Sequence, residues 1–402
     1  MDPEVQVAQE PIPVAVAPAK DISGWNRAWK QTLYGTDPEL FITNDGELVP
    51  AFTFLPDKKN PIPVEDRVSG HTAKANIFWD GFQAEFNTPP CFCLAYLVDG
   101  IRLGYKSVLD QAQIKYPNAK VTFKNVFEIP KATMRLAEAE HTALGCEPSE
   151  NAYAMCGKAV LDGRKLKYRF AGGHIHVAHP NVDLNNKPRY GLTGNTWTRD
   201  DIEARVKTLD MIIGVYSVGA AASIDNPIRR RFYGLAGEYR IPKYGFEYRT
   251  LSNWWHVHPG ISNLVLMMTR MAMHLHEENF ADAWLAHPQE TIEAINNCDV
   301  KLAREILFRN REVIAAMVTG MMDWRGEGGD EDFYNDDVDS DINTKVPIEL
   351  AMQIGMHGVE SVISDPEDFV KNWKISSGKW TGHADGKGEG WRHLVQRKAK
   401  LI

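Results

Sequence analysis

The chain of 402 residues has few cysteines, and their spacing excludes two common kinds of cross-linked scaffold. The five cysteines are Cys91, Cys93, Cys146, Cys156 and Cys298. An odd, sparse set without the paired spacing of a zinc ribbon is typical of neither a disulfide framework nor a structural zinc site. Free cysteines usually pack as small apolar residues. We therefore expect a protein of a reducing compartment, the cytoplasm.

Long apolar runs are also missing from the sequence. The nearest candidate, 211–224, is shorter than the roughly 18 residues that a bilayer-spanning helix needs. The start of the chain has no charged segment followed by an apolar core, so we expect no signal peptide. With 44% hydrophobic and 24% charged residues, the composition is that of an ordinary globular protein. The sequence predicts no membrane partner.

Positive charge is not in excess. Lysine and arginine number 45 against 53 acidic residues, which gives a formal net charge of −8. A general nucleic-acid binder usually presents a strongly basic face. We therefore expect no general nucleic-acid binding, although a local basic cleft is still allowed.

The usual phosphate-binding fingerprints are absent as well. The chain has no Walker A lysine loop, no kinase glycine-rich loop and no Rossmann fingerprint. A nucleotide site in this protein must therefore be of another type.

What the sequence does contain begins with two histidines after a glycine pair. Gly172 and Gly173 allow unusual backbone angles or a close approach to a ligand. His174 and His176 follow at i and i+2, which in a strand places both imidazoles on one side. Neutral imidazole is a common metal ligand and a donor to phosphate oxygens. The alternative is a pair of strand residues beside a polar cleft.

Acidic residues recur in two predicted strands. Asp37 and Glu39 are two apart in the predicted strand 33–42, and we expect them to share one face. Glu85 belongs to an alternating segment, 82–87, whose polar face carries Gln, Glu and Asn. Such a row fits a binding surface, and a solvated strand face is the alternative.

A third segment, 229–249, is rich in arginine. It holds five arginines and a lysine among glycines and tyrosines. Guanidinium groups bind phosphate in a bidentate manner. The strand tripeptide Glu247-Tyr248-Arg249 places an acid and a base side by side, which suits a metal-bound phosphate. A surface salt bridge is the alternative.

The rest of the chain divides into four predicted regions. A flexible, proline-rich tail covers 1–24, and a catalytic domain covers 25–325, including a helical segment at 260–325. An acidic loop without the calcium-loop pattern covers 326–345, and a helix and basic tail cover 346–402. Within the domain, helices are predicted over 94–115, 131–145, 198–215, 264–279, 289–298 and 300–324; strands over 48–54 and 121–129; loops over 56–72 and 180–198. Asp210, inside an apolar helix, needs a partner.

These residue types together indicate a metal-dependent nucleotide enzyme. Clustered carboxylates repel each other unless cations lie between them. Hard oxygen ligands favour Mg²⁺ or Mn²⁺, and nearby arginines favour phosphoryl groups.

Four short motifs also occur in the order found in the glutamine synthetase-like carboxylate–amine ligases. The chain most resembles the phage-encoded COOH·NH2 ligases of type 2, over roughly residues 31–260. The motifs are Thr36-Asp37-Pro38-Glu39-Leu40-Phe41, Gly81-Phe82-Gln83-Ala84-Glu85-Phe86-Asn87, Gly172-Gly173-His174-Ile175-His176, and Tyr239-Arg240-Ile241-Pro242 with Phe246-Glu247-Tyr248-Arg249.

The resemblance implies an α+β fold, in which a curved antiparallel sheet forms an open funnel flanked by helices, followed by a mainly helical C-terminal part. It also implies ATP and Mg²⁺ or Mn²⁺ as cofactors. The carboxylate substrate would be phosphorylated to an acyl phosphate, which an amine attacks to form an amide. A peptide or a cell-wall fragment would be admissible as a substrate, and a homo-oligomer as the assembly. The location would be the host cytoplasm if the chain is phage-encoded.

The resemblance assigns roles to eight residues. Arg231, which belongs to the same arginine-rich segment, is added as a ninth. The expected metal ligands are Asp37, Glu39, Glu85, His174 and Glu247. The expected nucleotide contacts are His176, Arg231, Arg240 and Arg249. Arg240, Arg249 and Glu247 are the expected catalytic residues, which act by positioning and charge neutralisation.

The sequence departs from the family pattern in three ways. Asp37 is shorter than glutamate. The family's additional acid before the Gln-x-Glu element is not evident, and Asp80 lies closer to that element than expected. An adenylylation loop and an N-terminal β-grasp domain are not found, so chemistry on glutamate and ammonia is not implied.

Two other functions remain open on the sequence alone. The first is a phage structural or host-interaction protein that keeps the fold without turnover. The second is a metal-dependent hydrolase that uses His174 and His176, although it leaves the arginine segment unexplained.

Overall fold

The structure is a computed structural model that describes residues 32–68, 71–91, 93–142, 149–153, 166–179, 197–277, 288–311, 348–373, 375–376 and 379–380. The predicted tail at 1–24, the acidic loop at 326–345 and most of the loop at 180–198 lie outside these ranges. The described part is a mixed α/β fold of curled antiparallel sheet and helices.

The first sheet carries the histidine and arginine segments. In spatial order its strands are Tyr34–Thr36 (β1), Ile175–Ala178 (β11), Gly245–Tyr248 (β13), Glu238–Arg240 (β12) and Glu150–Asn151 (β9). The pairs are antiparallel, and β11 lies between β1 and β13. Segments far apart in the chain thereby become neighbours.

The second sheet carries the remaining acids. Its strands are Glu47–Val49 (β3), Glu39–Asn44 (β2), Gln83–Asn87 (β6), His71–Asp80 (β5) and Ile62–Val68 (β4), with Ala119–Thr122 (β7) also paired to β2. Two small ribbons accompany it: Val126–Glu128 (β8) with Tyr168–Phe170 (β10), and Ile375–Ser376 (β14) with Lys379–Trp380 (β15).

The helices of the described chain cover these sheets or pack on one another. They are Leu94–Lys115 (α1), Lys131–Met134 (α2), Ala139–Thr142 (α3), Arg199–Leu209 (α4), Val215–Ala220 (α5), Pro259–Glu277 (α6), Pro288–Asn296 (α7), Val300–Arg309 (α8), Ile348–His357 (α9) and Phe369–Asn372 (α10). Among them, none combines the length and apolar character that a bilayer crossing requires.

The chain passes from the first sheet to the second at Asp37 and Pro38. The prediction of one strand over 33–42 is therefore wrong: β1 ends at Thr36 and β2 begins at Glu39. Proline has no amide proton to continue a ladder, so the break falls at this residue. The alternation predicts that Asp37 and Glu39 share one face of a single strand. Because the strand breaks between them, they do not, and they serve different parts of the site.

Other strand boundaries also differ from the predictions. The predicted strand 121–129 is two strands, β7 and β8, in different sheets. The predicted loop 56–72 contains β4, whose polar residues lie in a strand paired only to β5 among the described strands. The predicted strand 48–54 ends at Val49, and a 3₁₀ turn, Ala51–Thr53, follows Pro50.

Helix predictions based on apolar periodicity are more accurate. The bounds of α1 are those predicted, and Thr198 caps α4 in a capping box with Asp201. The helix continues through a π-helical turn, Asp210–Gly214, into α5. The predicted helix 131–145 is instead the two short helices α2 and α3 within its described part.

Asp210 has the partners that its burial requires. Its side chain is fully buried and accepts hydrogen bonds from the backbone of Gly237 at 2.6 Å and from the hydroxyl of Tyr248 at 2.6 Å. Burial raises the pKa of this carboxyl to about 7. It ties the helix to the two strands that carry the arginine segment.

Candidate metal and nucleotide site

The two histidines of β11 and its entry converge on one carboxylate. His174 Nδ1 lies 3.1 Å from Asp37 Oδ1, and His176 Nε2 lies 3.1 Å from the same oxygen. Asp37 reaches them because β1 pairs with β11, and the chain leaves β1 directly before this residue. The structure thus brings three of the predicted site residues together.

The glycine pair is required by the tight packing around His174. A Cβ added to Gly172 would lie 2.2 Å from His174 Nε2, and one added to Gly173 would lie 2.5 Å from the carbonyl oxygen of Ser252. Both distances are far shorter than real Cβ contacts. The glycines are therefore needed for close approach of backbone and side chain.

Glu247 lies at the centre of β13, next to both the histidine strand and an arginine strand. It is paired with His176 of β11 on one side and with Arg240 of β12 on the other. Its Oε2 accepts a 2.6 Å hydrogen bond from Arg240 Nε, and its Oε1 lies 3.1 Å from Arg249 Nε. The side-by-side arrangement of acid and base that the tripeptide predicts is present, and it is buried rather than on the surface.

We use the name inner cluster for Asp37, His174 and Glu247. One ligand atom from each of them lies within 4.8 Å of the others, and His174 Nδ1 is 3.2 Å from Glu247 Oε1. The three side chains come from the end of β1, the entry to β11 and the centre of β13.

We use the name outer cluster for Glu39, Asp80 and Glu85. Their carboxylate oxygens also lie within 4.8 Å of one another. Glu39 and Glu85 face each other across β2 and β6, and Asp80 ends β5 just before the turn at Gly81. These are the two groups of three or more potential metal ligands that the described residues form.

Asp80 is the functional candidate that the sequence motifs left unassigned. The strand pattern could not find it, because Asp80 closes a strand and its neighbours on either side are aromatic or glycine. Its proximity to Glu85 in the sequence, noted as a departure from the family pattern, was the available signal.

Backbone and side-chain hydrogen bonds link the two clusters. The backbone amide of Gly172, two residues before His174, donates to Glu39 Oε2 at 2.7 Å. Gln83 Nε2 donates to the same oxygen at 3.3 Å and to the carbonyl of Phe170 at 2.6 Å. The segment that leads into β11, from Phe170 to His174, therefore contacts both clusters.

Asp37, one of the two acids of the inner cluster, is held in its ionised form. Burial alone would raise the pKa of Asp37, but the charges of His176 and His174 outweigh burial and hold that pKa well below its usual value. For His176, burial would lower the pKa, and the Asp37 carboxylate outweighs it and raises the pKa. The pair favours a carboxylate and an imidazolium when no other cation is present.

The outer cluster shows the opposite tendency. Burial raises the pKa of Asp80 to about 6, and the negative charge of Glu39 adds to the effect. Burial also raises the pKa of Glu85 well above its usual value, with contributions from Asp80 and Asp37 that the nearby Lys58 does not cancel. These acids repel one another and resist ionisation.

Both clusters suit a divalent cation. The carboxylate oxygens of both clusters, joined by one imidazole in the inner cluster, are a donor set for Mg²⁺ or Mn²⁺. Glu247 Oε1 and His176 Nε2 are buried and make ion-pair contacts with Arg249, His174 and Asp37, but no directed hydrogen bond within the described part of the chain. A cation beside these atoms would supply the partner that buried polar atoms normally have.

Two tyrosines fix the far sides of the imidazoles, a feature that the sequence motifs did not reveal. The hydroxyl of Tyr233 is hydrogen-bonded to His174 Nε2, and that of Tyr244 to His176 Nδ1. The ring of Tyr233 also lies between two guanidinium groups, 4.8 Å from Arg229 and 5.1 Å from Arg249. Each ring nitrogen facing the carboxylates is thereby oriented.

The run of arginines 229–231 is largely structural. Arg229 is fully buried and donates to the carbonyl of Leu251 at 2.8 Å, and Arg230 donates to the carbonyl of Thr250 at 2.6 Å. Arg231 points outward and is exposed. The structure does not place Arg231 in either cluster.

Comparison with known proteins bears on the same region. Residues 202–321 match the family "Phage phiEco32-like COOH.NH2 ligase-type 2". The matched segment includes Arg240, Glu247 and Arg249 and lies outside the histidine and acidic motifs. The match agrees with the resemblance to this family that the motifs indicated, and it is confined to this segment.

Comparisons with curated proteins and with solved structures give no further evidence of function. No curated protein matches the chain. A bifunctional glutathione synthetase from Pasteurella multocida aligns with a TM-score of 0.43 and 11% identity, over 92% of this chain. The chain spans about half of that protein, 52% of its length.

Proposed function

We propose that this chain, as a relative of the phage COOH·NH2 ligases, is an ATP-dependent carboxylate–amine ligase that works through an acyl phosphate. The proposal includes a glutamine synthetase-like catalytic fold within residues 25–325. The observation that carries it is the pair of clusters, inner and outer, oriented by one backbone segment and bordered by Arg240 and Arg249.

The two clusters would hold the divalent ions. In the proposal Asp37, His174 and Glu247 bind one Mg²⁺ or Mn²⁺, and Glu39, Asp80 and Glu85 bind another. Bound there, such ions neutralise phosphate oxygens and polarise the transferring group. The chain's own contribution is to fix these six ligands in strands or directly beside them, so that little reorganisation is needed during the reaction.

The arginines would stabilise the transferring phosphoryl group. Arg240 is 30% exposed at its side chain and already bound to Glu247, so one face of its guanidinium is directed to the open side. Arg249 is buried, and its NH1 also donates to Ser149 at 2.9 Å. We assign Arg240 to direct contact with phosphate oxygens and Arg249 to orientation of Glu247. His176 and Arg231 complete the proposed nucleotide contacts.

The reaction balances in two steps. A carboxylate oxygen of the acid attacks the γ-phosphorus of ATP, the bond to the bridging oxygen breaks, and ADP leaves. The neutral amine then attacks the acyl carbon, and the bond from that carbon to the bridging oxygen breaks. Phosphate leaves with the oxygen that came from the carboxylate, and the amine loses one proton. The sum converts ATP, acid and amine to ADP, phosphate and amide.

The proposal is tested by coupled detection of ADP with a panel of acids and amines, including peptides and cell-wall fragments, followed by mass analysis of the product. The expected result is ADP release that requires both an acid and an amine, with a product that has lost one water. ADP release without an amide would favour a hydrolase. Absence of nucleotide binding would instead favour a structural or host-interaction protein.

A further inference from the structure

The outer cluster has a neighbouring cation of its own. Lys58 Nζ lies 3.0 Å from Glu85 Oε1 and is 62% exposed at its side chain, while the Glu85 side chain is 5% exposed. Lys58 Nζ also lies 5.1 Å from the centre of the Phe78 ring. Lys58 therefore enters the cluster from the solvent side, with its ammonium group on one of the oxygens that a metal would use.

The position of Lys58 is built into the fold. The backbone amide of Trp79 donates to the carbonyl of Pro56 at 2.9 Å, which joins the loop to the end of β5. Asp57 Oδ1 accepts from the backbone amides of Lys59 at 2.9 Å and Asn60 at 3.0 Å, which closes the loop into a turn. The residue between these anchors, Lys58, is thereby held beside the same strand end that carries Asp80.

We propose that Lys58 is a resident monovalent cation of the outer cluster, which leaves Glu85 when a divalent ion binds there and so sets the affinity and selectivity of that site. This inference rests on the proposed function, because it concerns a residue acting on one of the two proposed metal positions.

Lys58 and a divalent ion would compete for one oxygen, Oε1 of Glu85. Three carboxylates in a buried cluster repel one another, and one ammonium relieves part of that repulsion. A Mg²⁺ ion needs its oxygen ligands at about 2.0–2.1 Å, so an ion on Glu85 Oε1 and an ammonium at its present position would be close like charges. The long, exposed lysine side chain can swing into solvent, whereas the strand-bound acids cannot move.

The competition has a consequence for the working cycle. With Lys58 in place, the ion-free protein keeps a partly neutralised cluster and remains folded. The binding free energy of a weakly charged or poorly fitting cation is too small to displace the ammonium. The binding free energy of a divalent ion, especially one delivered with nucleotide phosphates, is large enough. The site would then discriminate against monovalent ions without any additional ligand.

The test is calorimetric titration of Mn²⁺ into the full chain, in the wild type and in Lys58→Gln. Lys59→Gln is the matched control, since Lys59 is the next residue, is also exposed and belongs to neither cluster. Glu85→Gln identifies which class of Mn²⁺ sites is the outer cluster, and circular dichroism verifies that each variant is folded.

The expected result is that Lys58→Gln binds Mn²⁺ on the order of three- to tenfold more tightly at the outer cluster only, as for removal of one partly exposed charge. Lys59→Gln should differ from wild type by less than about twofold. Equal or weaker Mn²⁺ binding in Lys58→Gln would overturn the inference and leave the proposed function intact. No Mn²⁺ at the outer cluster in any variant would overturn both.

Discussion

The inner and outer clusters each gather three potential ligands, yet they balance their charge in different ways. The inner cluster is surrounded by cations of its own, with Arg240 and Arg249 on Glu247 and His176 on Asp37. The outer cluster has Lys58 on one oxygen of Glu85, and the raised pKa values of Asp80 and Glu85 show that these two acids resist ionisation. The inner cluster is thus charged and rigid before any ligand arrives, whereas the outer cluster completes its ionisation when a divalent ion arrives.

This difference indicates a division of labour. Under the proposed function, the inner cluster, in which Asp37 is already ionised and the ligands are held by tyrosines and arginines, is suited to precise orientation of a phosphoryl group. The outer cluster, with its raised pKa values and exposed lysine, would exchange its cation more readily. Substitutions in each cluster distinguish these two ways of balancing charge.

The largest effect is expected for Glu247→Ala. The change removes a ligand of the inner cluster together with the carboxylate that Arg240 and Arg249 share. We expect a loss of roughly 3–5 kcal/mol in the free energy of unfolding, as for one partner of a buried ion pair. ADP release should fall by a factor of about 10³ or more.

Denaturant unfolding and ADP detection measure these two effects. The matched control is Glu47→Ala, an exposed acid of β3 outside both clusters, which should change stability by less than about 0.5 kcal/mol. A Glu247→Ala variant as stable and active as Glu47→Ala would show that the buried acid has no role in either.

A second variant, Gly172→Ala, perturbs the inner cluster without changing a ligand. The new methyl group would collide with His174 Nε2, so the imidazole must turn away from Asp37 and Glu247. We expect Mn²⁺ affinity at the inner cluster to fall by about 10- to 100-fold, as for loss of an orienting contact. Calorimetry measures the affinity.

Gly35→Ala is the control for Gly172→Ala. A methyl group on Gly35 would meet its nearest atom, the Cβ of His176, at 3.7 Å, which is an ordinary contact. Its Mn²⁺ affinity should stay near that of the wild type. Equal losses of Mn²⁺ affinity in the two variants would mean that Gly172 does not act through the position of His174.

Asp80→Asn tests the contrast through pH. The folded-state pKa of about 6 exceeds the ordinary 3.8, so the folded state keeps its proton between these values while the unfolded chain loses it. Stability contributed by this group is full below about pH 4 and falls as pH rises to about 6. Without metal, Asp80→Asn should therefore gain about 1–3 kcal/mol at pH 7.5 and almost nothing at pH 4.

Thermal unfolding in a chelator, at both pH values, measures this difference. With saturating Mg²⁺ the order should reverse, because the wild type gains stability from an ion that the variant binds less well. An effect of Asp80→Asn that is independent of pH would contradict the raised pKa.

The smallest effect is expected for Tyr233→Phe. The change removes the hydroxyl on His174 but keeps the ring between Arg229 and Arg249. We expect a loss of roughly 0.5–1.5 kcal/mol in stability and a modest weakening of Mn²⁺ at the inner cluster. Tyr233→Leu, which also removes the ring, should lose clearly more. Identical losses in the two variants would assign the whole effect to the hydroxyl group.

Much of the site could be predicted from the sequence, because its ligands lie in short motifs with strand periodicity. His174 and His176 do face one carboxylate, and Glu247 does lie beside Arg249. The helix α1 was predicted to the residue, since its apolar repeat is regular and uninterrupted.

The errors have a common physical origin in how strands are assigned to sheets. A local alternation pattern cannot show that the chain changes sheets at Pro38, so it could not separate Asp37 from Glu39. The pairing of β1 with β11 and of β2 with β6 decides which acids meet, and those pairings join segments more than 40 residues apart. Asp80 and Tyr233 entered the site in the same way, through tertiary contacts alone.

The central claim is that the two clusters bind a nucleotide through divalent ions. Its most direct test is calorimetric titration of a non-hydrolysable ATP analogue into the wild type and Glu247→Ala, with Mg²⁺ or with a chelator. We expect the wild type to bind the analogue only with Mg²⁺, and Glu247→Ala not to bind it. No binding by the wild type, or binding that is indifferent to Mg²⁺, would contradict it.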